Sequence, residues 1–472
     1  LLLLLCILPG CLPRASSRPE LAPVDLADRD SPCDSLSVLT PEELNLVADQ
    51  IRLSRRPAVL PRRKYQILAL SGGGAYGAYS AGILYGWTET GTRPDFDVIT
   101  GISTGALIAA LAFLGPSRDE ELRHFYTTVT TKDIYRIHKP IRSLFSAYIA
   151  DNQPLADRIR EQVTPEYLHA VASEHARGRR LYVGTTNLNT RRLVVWDMGA
   201  IASRGTPEAR ELYVNVLLAS TAIPGFFPPV RFPVNVDGKL CEEIHVDGGV
   251  SRPIFFRPPY VPPSERAAFG PSSLYDSNLY LVIAGKLYPD PQPVRLRALS
   301  IASSSISSLL YASGRAEAYR LFTLSVFTGM NYYQTTVPPD FPVLSSSVKF
   351  DPDVMTRLFE LGRERMRNGD VWRRHPPGLQ KAEDVRARTG LNLTIPGPDG
   401  CGLAPAPVVP LDMPGPAPER LPSVLPAVEG TEWPFPPVPI LPNWLGWPGL
   451  PLPPLIPTSP QGIPPTRKPI AK

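Results

Sequence analysis

The feature that most narrows the fold is a pattern that occurs twice between Tyr65 and Leu114. A short apolar strand runs into a glycine-framed turn, and the turn runs into a helix of small residues. Tyr65–Leu70 leads into Ser71-Gly72-Gly73-Gly74 and the helical run Ala75–Trp87. Phe96–Thr100 leads into Gly101-Ile102-Ser103-Thr104-Gly105 and the run Ala106–Leu114. Strands alternating with helices imply a mostly parallel sheet covered on both faces. Further strands are expected at Arg180–Thr185, Arg192–Trp196, Ile244–Asp247 and Leu279–Ala284. An amphipathic helix is expected at Pro352–Met366, where Val354, Leu358, Phe359 and Leu361 recur at helical spacing. The expected fold class is α/β, a mostly parallel central sheet sandwiched by helices, with a Pro-rich C-terminal tail.

Composition matters mainly at the two ends. Proline supplies 57 of 472 residues, about 12% against a usual ~5%. Such a share cannot be hidden inside helices and strands, because each proline lacks an N–H and fixes φ. From Ile395 to Lys472 there are 24 prolines in 78 residues, with Trp433, Phe435, Trp444 and Trp447 among them. This tail should sample polyproline II and turns, and its aromatic residues suit it to docking on an unknown partner. The N-terminus opens with eight apolar residues and then Pro9-Gly10-Cys11. That run is too short to span a bilayer and matches the apolar core of a secretory signal. Leu8-Pro9-Gly10-Cys11 resembles a bacterial lipobox, which implies lipidation at Cys11 and an exported lipoprotein anchored in the cell envelope; ordinary secretion without lipidation is the alternative. Of the other cysteines, Cys33, Cys241 and Cys401 allow one disulfide, with no choice among pairings. Thr40-Pro41-Glu42-Glu43 carries a helix start, with a cap, an N1 proline and a capping-box acid. The expected organisation is a signal segment at 1–18, a linker with a short helix at 19–63, a catalytic domain at 64–375 and the tail at 376–472.

Net charge excludes less than the motifs do. At +5 over this length, with no long basic run, nucleic-acid binding is disfavoured. No cysteine or histidine has zinc-ligand spacing, so no metal is expected. Gly72, Gly74 and Gly77 fit G-x-G-x-x-G formally, but no acidic residue ends a second strand ~20 residues on, as a ribose binder needs. A P-loop is excluded by the missing Gly-Lys-Ser/Thr.

What remains is acyl-transfer chemistry. Gly101-Ile102-Ser103-Thr104-Gly105 is G-x-S-x-G between a strand and a helix, the setting that lifts a serine Oγ above a sheet. The helix dipole and the next N–H favour negative charge there. The Gly72–Gly74 loop can turn backbone N–H groups into one concavity, for a phosphate or a developing oxyanion. A serine also needs a base. His124, His138, His169, His175, His245 and His375 all lack a convincing loop setting and read as surface or structural residues. Asp247, in His245-Val246-Asp247-Gly248-Gly249, ends a strand with two glycines after it and can take the serine proton directly. Asp237-Gly238 reads instead as a type I′ hairpin turn.

Together the glycine loop, G-x-S-x-G and Asp-Gly-Gly resemble the patatin-like phospholipase family, as does the run Ala219–Pro229 between serine and aspartate. The resemblance covers about Lys64 to Arg367. It implies Ser103 as nucleophile, Asp247 as base and an oxyanion hole from the backbone of Gly72, Gly73 and Gly74. The implied activity is hydrolysis of lipid acyl esters through an acyl-enzyme, of the phospholipase A or lysophospholipase type. Its setting is a membrane surface, and no cofactor is needed. Many family members carry Arg or Lys two positions after the glycine triplet, where this chain has Tyr76. The contrasting expectation is a catalytically weak envelope lipoprotein that acts as a scaffold or binding module through its tail.

Overall fold

The computed structural model describes residues 41–376 apart from 58–60, 62, 139–147, 262, 290–293, 295–296, 343 and 345. It also describes a short antiparallel pair, Thr394–Pro396 with Leu403–Pro405. All of these fall in the first of the chain's two units, Leu1–Ala406. The expected signal segment at 1–18 with Cys11, residues 19–40 of the expected linker, nearly all of the residues 376–472 expected as a tail, and Cys33 and Cys401 lie outside the described residues. Cys241 is an exposed free thiol.

The centre is an eight-stranded sheet: β1 (Gln66–Leu70), β2 (Val98–Gly101), β3 (Arg180–Asn187), β4 (Arg192–Asp197), β5 (Val230–Val236), β6 (Lys239–Asp247), β7 (Asn278–Ile283) and β8 (Asn331–Thr336). The order is β8-β7-β1-β2-β3-β6-β5, with β4 on the other edge of β3. The five strands from β8 to β3 are parallel. Both β4 and β6 run antiparallel to β3, and β5 runs antiparallel to β6. The main helices are α1 (Pro41–Ser54), α2 (Gly77–Glu89), α3 (Thr104–Ala112), α4 (Asp119–Thr128), α5 (Gln153–Gln162), α6 (Pro165–Ala176), α7 (Pro207–Ser220), α8 (Ala298–Thr328) and α9 (Pro352–Arg367). None in the described residues is long and apolar enough to cross a membrane.

The parallel part of the sheet is buried on both faces, as such a sheet requires. Along β1, Leu68 and Leu70 join a core with α2, α3, α7 and α9, while Ile67 and Ala69 join a second core with Phe255, Leu321 and Phe322. After Gln66, the four residues Ile67–Leu70 of β1 therefore read as an unbroken apolar run rather than an alternation. The fold class read from the sequence is the one observed, and each strand and helix named there is present within a few residues. Two boundary shifts carry meaning. The first glycine turn enters α2 through a 3₁₀ turn, Gly74–Tyr76, and α3 starts at Thr104, so Ser103 itself caps the helix. The β5–β6 hairpin turns on Asp237 and Gly238 at φ 51° and 79°, the pair of positive values a type I′ turn needs. The long helix α8 and the edge strand β8 carry no clear pattern in the sequence, and both emerge only in the fold.

Candidate active site

Ser103 sits at φ 53°, ψ −126°, a conformation that L-residues rarely adopt and that costs of order 1–3 kcal/mol. The surrounding backbone imposes it. The Ile102 N–H donates to Leu70 O (3.2 Å), and the Ser103 N–H donates to Ser220 Oγ (2.9 Å), whose own hydroxyl donates to Gly184 O (2.8 Å). The glycines of G-x-S-x-G are there for space: a Cβ on Gly105 would lie 2.5 Å from Ser71 O, and one on Gly101 2.5 Å from Gly105 O. The chain thus turns sharply from β2 into α3, and the serine side chain stands at the helix's positive end. Ser220, buried at the end of α7, went unassigned in the sequence because its partner lies 117 residues away.

Strand register delivers Asp247 to the same place. Strand β2 pairs with β3 only as far as Gly101 opposite Val183. Strand β4 occupies the other edge of β3 from Tyr182 to Asn187, so β6 must enter on the edge that β2 vacates. It does so with Asp247 opposite Thr185, two residues beyond the end of β2, where Ser103 turns out of the sheet. The Ser103 side chain lies close enough to favour the ionised form of the Asp247 carboxyl. The Gly249 N–H donates to its Oδ1 at 2.7 Å. Burial pushes the Asp247 carboxyl up to about 6 from its ordinary 3.8, and the nearby Ser103 hydroxyl and the Gly249 N–H oppose that rise.

The glycine loop after β1 lies beside this pair, with the Cβ position of Gly72 3.1 Å from Ser103 Cβ. Its three N–H groups are not equivalent. That of Gly72 already donates to Pro253 O at 3.0 Å, which removes it from the implied oxyanion set. Among the described residues no hydrogen bond uses the N–H of Gly73 or Gly74. A side chain at either glycine would overlap backbone, Ala284 O at Gly73 and Ser347 O at Gly74. Just beyond, the Ala75 N–H donates to Ser347 O (2.8 Å), and the hydroxyl of buried Tyr76 accepts from the Leu344 N–H (3.4 Å). Where the family pattern has a cation, this chain uses an aromatic anchor for the segment that crosses the loop.

The remaining sequence candidates lie elsewhere. His245 is fully buried, its Nδ1 paired with Thr185 Oγ1 (2.8 Å) and its Nε2 with Glu243 Oε2 (3.0 Å). Both nitrogens are engaged, so it has no valence for a serine. His124 and His169 are exposed on α4 and α6, and His375 bonds the carbonyl of Pro376. His175 packs beside Asp197 and Gly199, and burial lowers its pKa. Among the described residues no group of three His, Cys, Asp or Glu is placed to hold a metal ion. A small apolar pocket of 100 Å³ lies against α3, lined by Leu107, Leu111, Phe125, Leu155 and Leu217.

Fold and site define an α/β protein whose serine elbow faces a carboxylate directly, with no imidazole between them. Residues 68–260, which include both glycine motifs and Asp247, match the patatin family of patatin-like phospholipases. No curated protein sequence matches the chain. Among solved structures it is similar to VipD from Legionella pneumophila, at 11% identity over 65% of this chain and 66% of that one, with a TM-score of 0.34. It is also similar to the type III effector ExoU, at 12% identity over 66% of this chain and 53% of that one, with a TM-score of 0.29. A third likeness is to full-length ExoU from Pseudomonas aeruginosa in complex with SpcU, at 14% identity over 65% and 52%, with a TM-score of 0.28. The chain therefore spans 52–66% of the length of these proteins.

Proposed function

We propose that the domain hydrolyses lipid acyl esters through a Ser103–Asp247 dyad and an acyl-enzyme. Ser103 Oγ attacks the ester carbonyl as its proton passes to Asp247. The negative charge that develops on the carbonyl oxygen falls toward the N–H groups of Gly73, Gly74 and Thr104. Collapse breaks the ester C–O bond, and Asp247 returns the proton to the departing alkoxide. Water then repeats the sequence: its proton goes to Asp247, its oxygen joins the acyl carbon, and the fatty acid leaves as Ser103 recovers a proton.

The observation that carries this reading is the strand register that brings Asp247 to the point where Ser103 turns out of the sheet. A carboxyl near 6 is ionised at neutral pH yet more basic than an ordinary aspartate, which suits a general base. Anchorage by Cys11 at an envelope membrane would place the domain beside its substrate. The test is turnover of a fatty-acyl ester by the wild type, Ser103→Ala and Asp247→Asn. Loss of turnover in both variants supports the dyad; turnover retained in either removes it.

A further inference from the structure

We propose that the cleft beside the Asp247 turn holds the anionic headgroup of the lipid, so that the protein selects anionic over zwitterionic phospholipids. This rests on the hydrolase reading above and goes on to name its substrate.

The cleft has a volume of 870 Å³ and opens between β3, β4 and the segment that follows Asp247. Five arginines line it: Arg191, Arg192, Arg252, Arg257 and Arg320, with no Asp or Glu among its lining residues. One nearby carboxylate, Glu317, serves two of them, Arg252 at 3.1 Å and Arg320 at 2.7 Å. Arg191, Arg192 and Arg257 form no ion pair among the described residues, and Arg257 is held over the Tyr182 ring, 4.9 Å from its centroid. Five guanidiniums thus face one carboxylate. Scattered surface arginines are ordinarily just solvated, but a concave wall focuses their field, and the guanidinium fork matches phosphate oxygens.

Apolar side chains, Leu193, Val195, Phe255 and Phe256 among them, make up most of the rest of the wall. A cationic rim over an apolar floor suits an amphiphile better than a free inorganic anion. Position supplies the link to the dyad. After Asp247 the chain supplies Val250, Ser251 and Arg252 to the lining, and Thr186 on the neighbouring strand bonds Ser251 Oγ at 3.0 Å. A zwitterionic headgroup brings a cation of its own to this wall, whereas an anionic one does not.

The experiment measures kcat/KM on short-chain phosphatidylglycerol and phosphatidylcholine, each supplied as monomers so that general attraction to a charged surface plays no part. The wild type should favour phosphatidylglycerol by about tenfold or more, the scale of one charge-assisted bond. Arg191→Gln combined with Arg192→Gln, and separately Arg257→Gln, should lower that ratio by roughly the same factor. A general loss of folding lowers both terms and leaves the ratio in place. The corresponding Lys variants should restore part of it. In parallel, calorimetry on Ser103→Ala should show phosphatidylglycerol binding that the Arg→Gln changes weaken and that inorganic phosphate displaces poorly.

A wild-type ratio near one, a ratio the arginine variants leave unchanged, a preference seen only with vesicles, or binding of inorganic phosphate without the lipid would each overturn the assignment. If the wild type turns over no ester while Ser103→Ala still binds phosphatidylglycerol through the arginines, the dyad reading fails and the headgroup site stands.

Discussion

In the loop after β2, the N–H groups of Ile102 and Ser103 are tied to Leu70 and Ser220, and the turn exists to hold one side chain still. In the loop after β1, the N–H groups of Gly73 and Gly74 have no partner among the described residues, and the turn offers backbone donors instead. The two segments look alike in sequence, a strand, several glycines and a small-residue helix. Their glycines answer the same steric demand, close approach to neighbouring backbone. What separates them is where the donors go, and donor placement is a property of the fold.

That contrast can be broken from either side. The largest effect should follow removal of the side chain that the second loop positions: Ser103→Ala should lower ester turnover by roughly 10⁴-fold or more, as loss of a nucleophile does elsewhere. Next comes Gly73→Ala, whose Cβ would overlap Ala284 O, so the peptide must shift and its N–H with it. Turnover should fall by roughly 10²–10³, the usual result of losing one oxyanion donor, while labelling of Ser103 by a fluorophosphonate persists at a reduced rate. Ser220→Ala strips the hydroxyl that accepts from the Ser103 N–H and donates to Gly184 O. It should cost about 1–3 kcal/mol in denaturant unfolding and loosen the elbow, giving a smaller drop in kcat than either change above.

A last effect is one of stability and separates Asp247 from its neighbours by sign. Its carboxyl is raised in the folded state, from 3.8 to about 6, so folding favours the protonated form. This group's contribution is fully present below about pH 4 and is lost as pH rises through 6, a change of about 3 kcal/mol. Asp247→Asn does not titrate. Its thermal midpoint should exceed the wild type's at pH 8, and the advantage should vanish near pH 4. Wild-type kcat/KM should move in the opposite sense, rising through about pH 6 as the base ionises. A midpoint gain that persists at pH 4 would remove burial of the charge as its cause.

Much of the fold was legible because local rules and global structure agree. Thr40-Pro41-Glu42 announced α1, and the same cap, proline and acid at Thr164-Pro165-Glu166 and Thr206-Pro207-Glu208 start α6 and α7. Helix α8 was not legible, since Ala298 to Gly314 is a serine, alanine and leucine run without a charge. Much of it stays exposed, and only the later turns, with Ala318, Leu321 and Phe322, reach the core. At the site, Ser103 and Asp247 were marked by their glycines. Ser220 and the commitment of the Gly72 N–H to Pro253 were not, because both are contacts between distant segments. The arginines were equally hidden: Arg191 and Arg192 look like a polar turn until Arg252, Arg257 and Arg320 arrive beside them.

The most direct test of the central claim is mass-spectrometric mapping of fluorophosphonate labelling in the wild type, Asp247→Asn and His245→Gln. The account predicts modification at Ser103 in the wild type and in His245→Gln, with labelling largely lost in Asp247→Asn. Modification of another residue, or labelling of Ser103 that survives Asp247→Asn and disappears in a folded His245→Gln, would contradict it.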